Sequence, residues 1–74
     1  MKDYNYTIIF EKEDDGGYHA FAPALPGCRV QGDTYDEAME NIREAIGLFI
    51  ESLRAHHDPI PIEDITIKPM RITA

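Results

Sequence analysis

One amphipathic pattern in the middle of the sequence limits this chain to folds built around a single helix. Apolar residues recur there at spacings of three and four, which predicts one apolar stripe through about five helical turns. The stripe consists of Ala38, Met39, Ile42, Ala45, Ile46, Phe49, Ile50 and Leu53. Because such a stripe has to be buried against another layer, we expect the rest of the chain to provide a sheet.

Both ends of this helix carry recognisable signals. Thr34 is the predicted N-cap: its hydroxyl can accept from a backbone N–H three residues on, while Glu37 reaches back to the Thr34 amide as in a capping box. His57 lies where a cation favours a helix C-terminus, and Asp58 before a proline ends the helical backbone. The sequence therefore predicts a helix from Thr34 to near His57.

The flanking segments alternate apolar and polar residues, as strands do. Turn residues at 13–17 separate the first two of these segments, and the prolines at 23 and 26 separate the second from the third. The predicted strands are residues 4–12, 18–22, 28–31 and 65–68. We therefore predict an α/β (α+β) fold with the order β-β-β-α-β, formed by residues 1–74 as one domain.

A single helix can cover only one face of such a sheet. Ile9 and Phe21 are placed by their phase on the opposite face and would need a second cover. A chain of this length also buries only about 60 % of its unfolded surface, which leaves a thin stability margin. We therefore expect a homodimer or higher homo-oligomer with Ile9 and Phe21 at its interface.

Charge narrows the classes of partner. Fourteen acidic residues against seven basic ones give a net charge of −7, which disfavours direct binding to nucleic acid or to an anionic membrane. The same field favours encounter with a basic protein, although acidity that serves only solubility is an equally good interpretation. Cys28 is the one cysteine, which favours a reducing cytoplasm over a secreted disulfide scaffold.

The acids are concentrated on the outer face of the predicted helix. At 100° per residue, four acids fall within a sector of about 80° opposite the apolar stripe, namely Asp36, Glu40, Glu44 and Glu51. Leu48 projects near this sector. A solvated helix face would explain the pattern, and so would a docking stripe for a basic partner. The candidate partner-binding residues are Asp36, Glu37, Glu40, Glu44, Leu48 and Glu51.

Enzymatic and metal sites receive little support from the sequence. Cys28 has no base that the sequence places beside it, so a buried structural thiol is the better interpretation. His56 and His57 are adjacent and point about 100° apart on a helix, unlike an i, i+4 ligand pair. The glycines form neither GxGxxG nor GxxxxGK. We therefore predict no catalytic residues, no metal and no cofactor.

An ordered string of residues connects the chain to a known family. Pro23-Ala24-Leu25-Pro26-Gly27-Cys28 is followed by Gln31-Gly32-Asp33-Thr34, then by Glu37-Ala38, Asn41 and Glu44-Ala45-Ile46. This pattern closely resembles the HicB antitoxin family. The resemblance implies a truncated RNase H-like fold, a β-β-β-α-β sheet with one helix, in agreement with the order obtained from turns and periodicity.

The resemblance also implies a function, namely the antitoxin of a type II toxin-antitoxin system. Such a protein binds a small basic toxin of the HicA type and blocks its RNA-cleaving surface. Many family members carry a C-terminal DNA-binding segment, and we expect none in residues 1–74, which end directly after the last predicted strand.

Two alternatives stay open at this point. An orphan structural or regulatory oligomer would account for the thin core and the half-covered sheet. A metal-dependent RNase H-like nuclease would need an acid in the middle of the first strand. That position is occupied by Tyr6, Thr7, Ile8 and Ile9, which disfavours the nuclease.

Overall fold

The computed structural model describes residues 3–74, in which three strands and one helix pack together. The elements are β1 (Ile9–Lys12), β2 (Tyr18–Phe21), β3 (Arg29–Gly32) and α1 (Tyr35–Ala55). The strands form one antiparallel sheet in the order β1-β2-β3. The predicted α+β class is confirmed, and residues 1 and 2 of the predicted domain lie outside the described part of the chain.

The first strand is shorter than the predicted segment 4–12. In the β1–β2 ladder Ile9 pairs with Phe21, and β2 ends at that residue. Ala22 then starts the turn that contains Pro23, which has no backbone N–H to offer a neighbouring strand. Residues 4–8 therefore have no part of β2 opposite them, and their alternation alone does not make a strand.

The loop at residues 23–28 is compact and contributes to the core. The amide of Ala22 donates to the Cys28 carbonyl at 3.3 Å, and that of Cys28 donates to the Leu25 carbonyl at 3.0 Å. Leu25 is fully buried. Gly27 has φ of +87°, a backbone conformation that side chains other than glycine's disfavour.

The start of α1 fits closely against the end of β3. Thr34 Oγ1 accepts from the Glu37 amide at 3.1 Å, as predicted, but the Glu37 carboxylate accepts from the Asp33 amide at 3.3 Å rather than from that of Thr34. A Cβ added to Gly32 would lie 2.5 Å from the Ala38 backbone nitrogen. Glycine at 32 is therefore needed for the helix to approach the strand this closely.

The core between sheet and helix is small. Its buried residues are Ala20, Ala22, Leu25, Cys28, Ala38 and Ile42. Asn41 attaches the helix to the sheet from outside this core, since its Nδ2 donates to the Gln31 carbonyl at 2.8 Å. The helix therefore covers one face of the sheet, as the sequence predicts.

The helix ends with a Schellman arrangement at His56, the C-cap. The His57 amide donates to the Arg54 carbonyl at 3.1 Å, and the Asp58 amide donates to the Leu53 carbonyl at 2.9 Å. His57 has φ of +57°, the left-handed conformation that this motif requires. The prediction that the helix ends near His57 is confirmed.

The predicted fourth strand at residues 65–68 is not formed, which corrects that part of the β-β-β-α-β order. The chain returns to the sheet as far as Glu63, whose carboxylate accepts from Thr7 Oγ1 at 2.7 Å, and Tyr6 donates its hydroxyl to the Pro61 carbonyl at 2.6 Å. Beyond this point the backbone has no strand neighbour, and Ile65 and Ile67 are 41 % and 64 % exposed. The alternation at 65–68 indicates strand-forming residues without fixing the edge on which they would pair.

The only long helix in residues 3–74 is α1, and it does not have the apolar length needed to cross a membrane.

Candidate functional site

The outer face of α1 is the most strongly charged surface that the sequence singles out. The structure brings all six predicted partner-binding residues to this face and exposes each of them. They are Asp36, Glu37, Glu40, Glu44, Leu48 and Glu51. The core-facing side of the same helix buries Ala38 and Ile42, so the two faces have opposite chemistry.

The acids on this face have no cationic partner among the described residues. The close contacts between acidic and basic side chains found within residues 3–74 all involve His19, which lies on the sheet. Arg54 is directed elsewhere, because its Nη2 donates to the Tyr4 hydroxyl at 3.0 Å and its guanidinium lies 5.7 Å from the centre of that ring. The negative charge of Asp36, Glu40 and Glu44 is therefore available to a partner.

Glu37 differs from its neighbours on the face. Its backbone N–H and its carboxylate both take part in the cap at the start of the helix. A partner could approach Glu37, but its carboxylate already stabilises the helix N-terminus. We therefore assign the core of the acidic face to Asp36, Glu40, Glu44 and Glu51.

Two uncharged residues interrupt the acidic face. Leu48 is 60 % exposed, although an aliphatic side chain gains little from solvent. Gly47 lies in the helix interior, and a Cβ added there would meet no atom within 4 Å. Packing within the chain thus gives no reason for a glycine that lowers helix stability by about 1 kcal/mol relative to alanine. Gly47 is not among the residues predicted from the sequence to bind a partner, although a glycine inside a helical pattern is a recognisable signal.

The second candidate surface is the face of the sheet that points away from α1. Ile9 and Phe21, the predicted oligomer-interface residues, are direct cross-strand partners on this face, and Arg29 is the next residue in the same row. The Arg29 guanidinium lies 5.2 Å from the centre of the Phe21 ring. Both Ile9 and Phe21 are half-buried rather than fully exposed.

The neighbouring row on this face is a polar network. His19 Nε2 lies 2.9 Å from a Glu11 carboxylate oxygen, and His19 Nδ1 lies 4.0 Å from Glu13. Gln31 donates its side-chain amide to Glu13 at 3.1 Å. The acids of the sheet face therefore have partners within the chain, in contrast to those of the helix.

The candidate nucleophile Cys28 is not paired with a base. It is buried in the core, and burial raises the pKa of its thiol, which disfavours the reactive thiolate. His19 lies on the opposite face of the sheet with its ring directed at Glu11 and Glu13. In the described part of the chain, no three His, Cys, Asp or Glu side chains converge as metal ligands.

A groove beside β1 was not anticipated from the sequence. It has a volume of about 440 Å³ and lies between the first segment of the chain and the helix. Its lining consists of Tyr4, Tyr6, Ile8, Phe10, Met39, Ile42, Arg43 and Ile46. Several of these residues were predicted to be apolar core, and no fourth strand forms beside them within the described residues.

Comparison with known proteins identifies the family of this chain. The family model described as "HicB_like antitoxin of bacterial toxin-antitoxin system" matches residues 6–71. A UPF0150 protein of Synechocystis is 62 % identical to this chain, covering 93 % of the chain and 87 % of the relative. A UPF0150 protein of Thermoplasma acidophilum is 51 % identical, with coverage of 84 % and 94 %.

A solved structure agrees with this assignment. The crystal structure of the N-terminal domain of the Burkholderia pseudomallei antitoxin HicB superposes with a TM-score of 0.71 at 32 % identity. The match covers 80 % of this chain and 69 % of that one. The fold, the two relatives and the family match over residues 6–71 lead to one conclusion: the chain belongs to the HicB-like antitoxin family.

Proposed function

We propose that this chain is an antitoxin that binds a small, basic, RNA-cleaving toxin of the HicA type and covers its cleaving surface. The observation that carries the proposal is the acidic face of α1, whose carboxylates are exposed and have no ion-pair partner in residues 3–74. A toxin that binds RNA needs a cationic surface, which is complementary to this face.

The composition of the face supports docking more than solubility. Leu48 offers an exposed aliphatic side chain beside the acids, and Gly47 leaves the helix surface flat next to it. Interfaces combine an apolar contact with a charged rim, whereas a face that serves solubility has no need of either residue. A partner that buries Leu48 and approaches the helix backbone at Gly47 would account for both.

The proposal assigns no catalysis to the chain itself. Cys28 is buried with a raised thiol pKa, and the acids nearest the sheet are held by His19 and Gln31. In this view the antitoxin acts by steric exclusion and electrostatic attraction. It competes with RNA for the cationic surface of the toxin. We place the complex in the cytoplasm, where such a toxin meets its substrate.

Co-purification tests the proposal. The chain is expressed with the product of a neighbouring reading frame that encodes a small lysine-rich protein, and one of the two carries an affinity tag. We expect a complex at low salt and suppression of the toxin's RNA cleavage when the antitoxin is added. Absence of association at low salt, or cleavage that continues in the complex, contradicts the proposal.

A control separates masking from catalysis. The purified chain alone is incubated with several RNAs and Mg²⁺ or Mn²⁺. We expect no cleavage, and metal-dependent cleavage that is lost on substituting an acid would support a nuclease in place of an antitoxin.

A further inference from the structure

The C-terminal segment carries most of the exposed large apolar side chains of the described residues. Seven large apolar residues are exposed within the described residues, and five of them lie at 62–72. These are Ile62, Ile65, Ile67, Met70 and Ile72. We call residues 64–74 the arm. The exposed apolar residues alternate at 65 and 67 and again at 70 and 72, as they would along a strand that buries one face.

The molecule is more extended than a compact chain of its length. The radius of gyration is 14.4 Å, where about 11 Å is expected for a compact chain of this length. The longest dimension is 47 Å and the shortest is 20 Å. The apolar side chains of the arm are exposed and do not belong to the buried core.

The body has an apolar site without an occupant, and the arm begins at its rim. The groove beside β1 is lined by tyrosine and aliphatic side chains that include Tyr6, Ile8 and Met39. The contacts from Tyr6 to Pro61 and from Thr7 to Glu63 fix the chain at this point. Among the described residues β1 pairs with β2 alone, so one edge of β1 is free to accept a further strand.

The charges of arm and body are opposite in sign. The arm contains Lys68, Arg71 and one acid, Asp64, giving +1. Residues 3–63 contain the other 13 acidic residues and four basic ones, giving −9. The net charge of the body therefore favours encounter with the arm. The charged residue that lines the groove itself is the basic Arg43, so burial of apolar surface is the main contribution expected there.

We propose that two copies of this chain form a dimer by exchanging arms, each arm adding a strand at the free edge of β1 in the other copy and burying its isoleucines in the groove. Exchange gives each copy one donated arm and one filled groove, so the interface is two-fold and closes. Main-chain hydrogen bonds along β1 supply affinity, and the groove selects the alternate side chains of the arm.

This dimer differs from the one expected at Ile9 and Phe21, because that interface would use the outer face of the sheet, whereas the arm pairs along the backbone edge of β1 and fills the groove on the helix side. It also leaves the acidic face of α1 open. The proposal is therefore independent of the antitoxin function.

Light scattering on the full chain is the first test. We expect wild-type protein to have twice the monomer mass of 8.4 kDa and the double variant Ile65→Asp/Ile67→Asp to have the monomer mass. The helical circular dichroism of the variant should be unchanged, because both positions are exposed. The matched control Phe21→Ser alters the sheet face and should remain dimeric.

Mixing distinguishes exchange from other contacts. Met39→Lys repels the basic arm from the groove and leaves the arm intact, whereas Ile65→Asp/Ile67→Asp leaves the groove intact. Each variant alone should be monomeric, and a mixture should form a heterodimer through its single intact arm and groove. Circular dichroism of Met39→Lys confirms that it folds.

Several outcomes overturn the proposal. A wild-type monomer would indicate that the arm folds back onto its own groove. An arm variant that stays dimeric, or a Phe21→Ser variant that dissociates, would place the interface on the sheet face. A mixture of variants that remains monomeric would exclude exchange.

Discussion

Two exposed surfaces of this molecule carry acids, but only one of them gives its acids side-chain partners among the described residues. On the open face of the sheet, Glu11 and Glu13 face His19 and Gln31 at 2.9 to 4.0 Å. On the outer face of α1, Glu40 and Glu44 have no ion pair with any residue from 3 to 74. The difference is not one of composition, since both surfaces contain several carboxylates.

The comparison shows what a charged surface gains from a partner. Like charges at i, i+4, as in Glu40 and Glu44, destabilise an isolated helix by a few tenths of a kcal/mol. The sheet face avoids this cost by pairing its acids across strands, where opposite or hydrogen-bonding side chains stabilise the ladder. The helix face retains the cost, which a cationic partner would remove.

Reversing charge on the two faces gives the largest expected effect. The double variant Glu40→Lys/Glu44→Lys should weaken toxin binding at least tenfold, or about 1.4 kcal/mol, because it opposes a basic surface with lysines. The matched variant Glu11→Lys/Glu13→Lys changes the net charge equally but on the sheet face. Titration calorimetry at low salt measures both affinities.

Comparing the two charge-reversal variants distinguishes docking at the helix face from attraction by net charge. Equal losses of affinity in the two variants would show that net charge alone attracts the toxin. Unchanged affinity of the helix variant would move the contact to the sheet or to the loop at residues 23–28.

Truncating the exposed leucine gives the next effect. Leu48→Ala should weaken binding by about 1 kcal/mol, or about fivefold, if the side chain enters the interface. Its effect on the free energy of unfolding should stay within about 0.5 kcal/mol, because Leu48 is exposed in the isolated chain. Calorimetry and urea unfolding separate the two quantities, and a loss of stability without a loss of affinity would remove Leu48 from the contact.

Substituting Gly47 should have a smaller effect, which stabilises the fold but weakens toxin binding. Gly47→Ala should raise the free energy of unfolding by about 0.4 to 1 kcal/mol, since the added Cβ meets no atom within 4 Å. The same methyl group should weaken toxin binding by about 0.5 kcal/mol, or about twofold, by holding the partner off the helix backbone. The exposed helix residue Ser52→Ala is the matched control and should leave affinity unchanged. Equal or tighter binding by Gly47→Ala contradicts a close approach at this position.

The fold could be predicted largely because the family motif specifies local geometry. Gly32 allows the close approach to Ala38, Thr34 and Glu37 cap the helix, and Asn41 bonds the Gln31 carbonyl. Each of these contacts spans ten residues or fewer along the chain. Sequence patterns record such local requirements directly.

The parts that were wrong depend on partners distant in sequence. Residues 4–8 alternate as a strand does, but β2 turns away at Ala22, and residues 65–68 alternate without an assigned edge. Alternation shows that a segment can form a strand, but it does not show which strand it pairs with. The same limit applies to the acidic face: helix phase placed its residues on one exposed surface, but the identity of what binds there remains a prediction.

The smallest expected effect comes from removing the His19 imidazole. Without it, Glu11 has no side-chain partner on the sheet face, as the acids have none on the helix face. His19→Ala deprives Glu11 and Glu13 of their shared partner and should lower the free energy of unfolding by about 0.5 kcal/mol, as expected for a half-exposed pair. His19→Gln retains a donor for one carboxylate and should recover part of this loss. Toxin affinity should not change in either variant, because these acids are not proposed to contact the toxin. Tighter toxin binding by His19→Ala would show that any acidic surface without side-chain partners attracts the toxin. The role of the helix face would then follow from its unpaired acids rather than from Leu48 and Gly47.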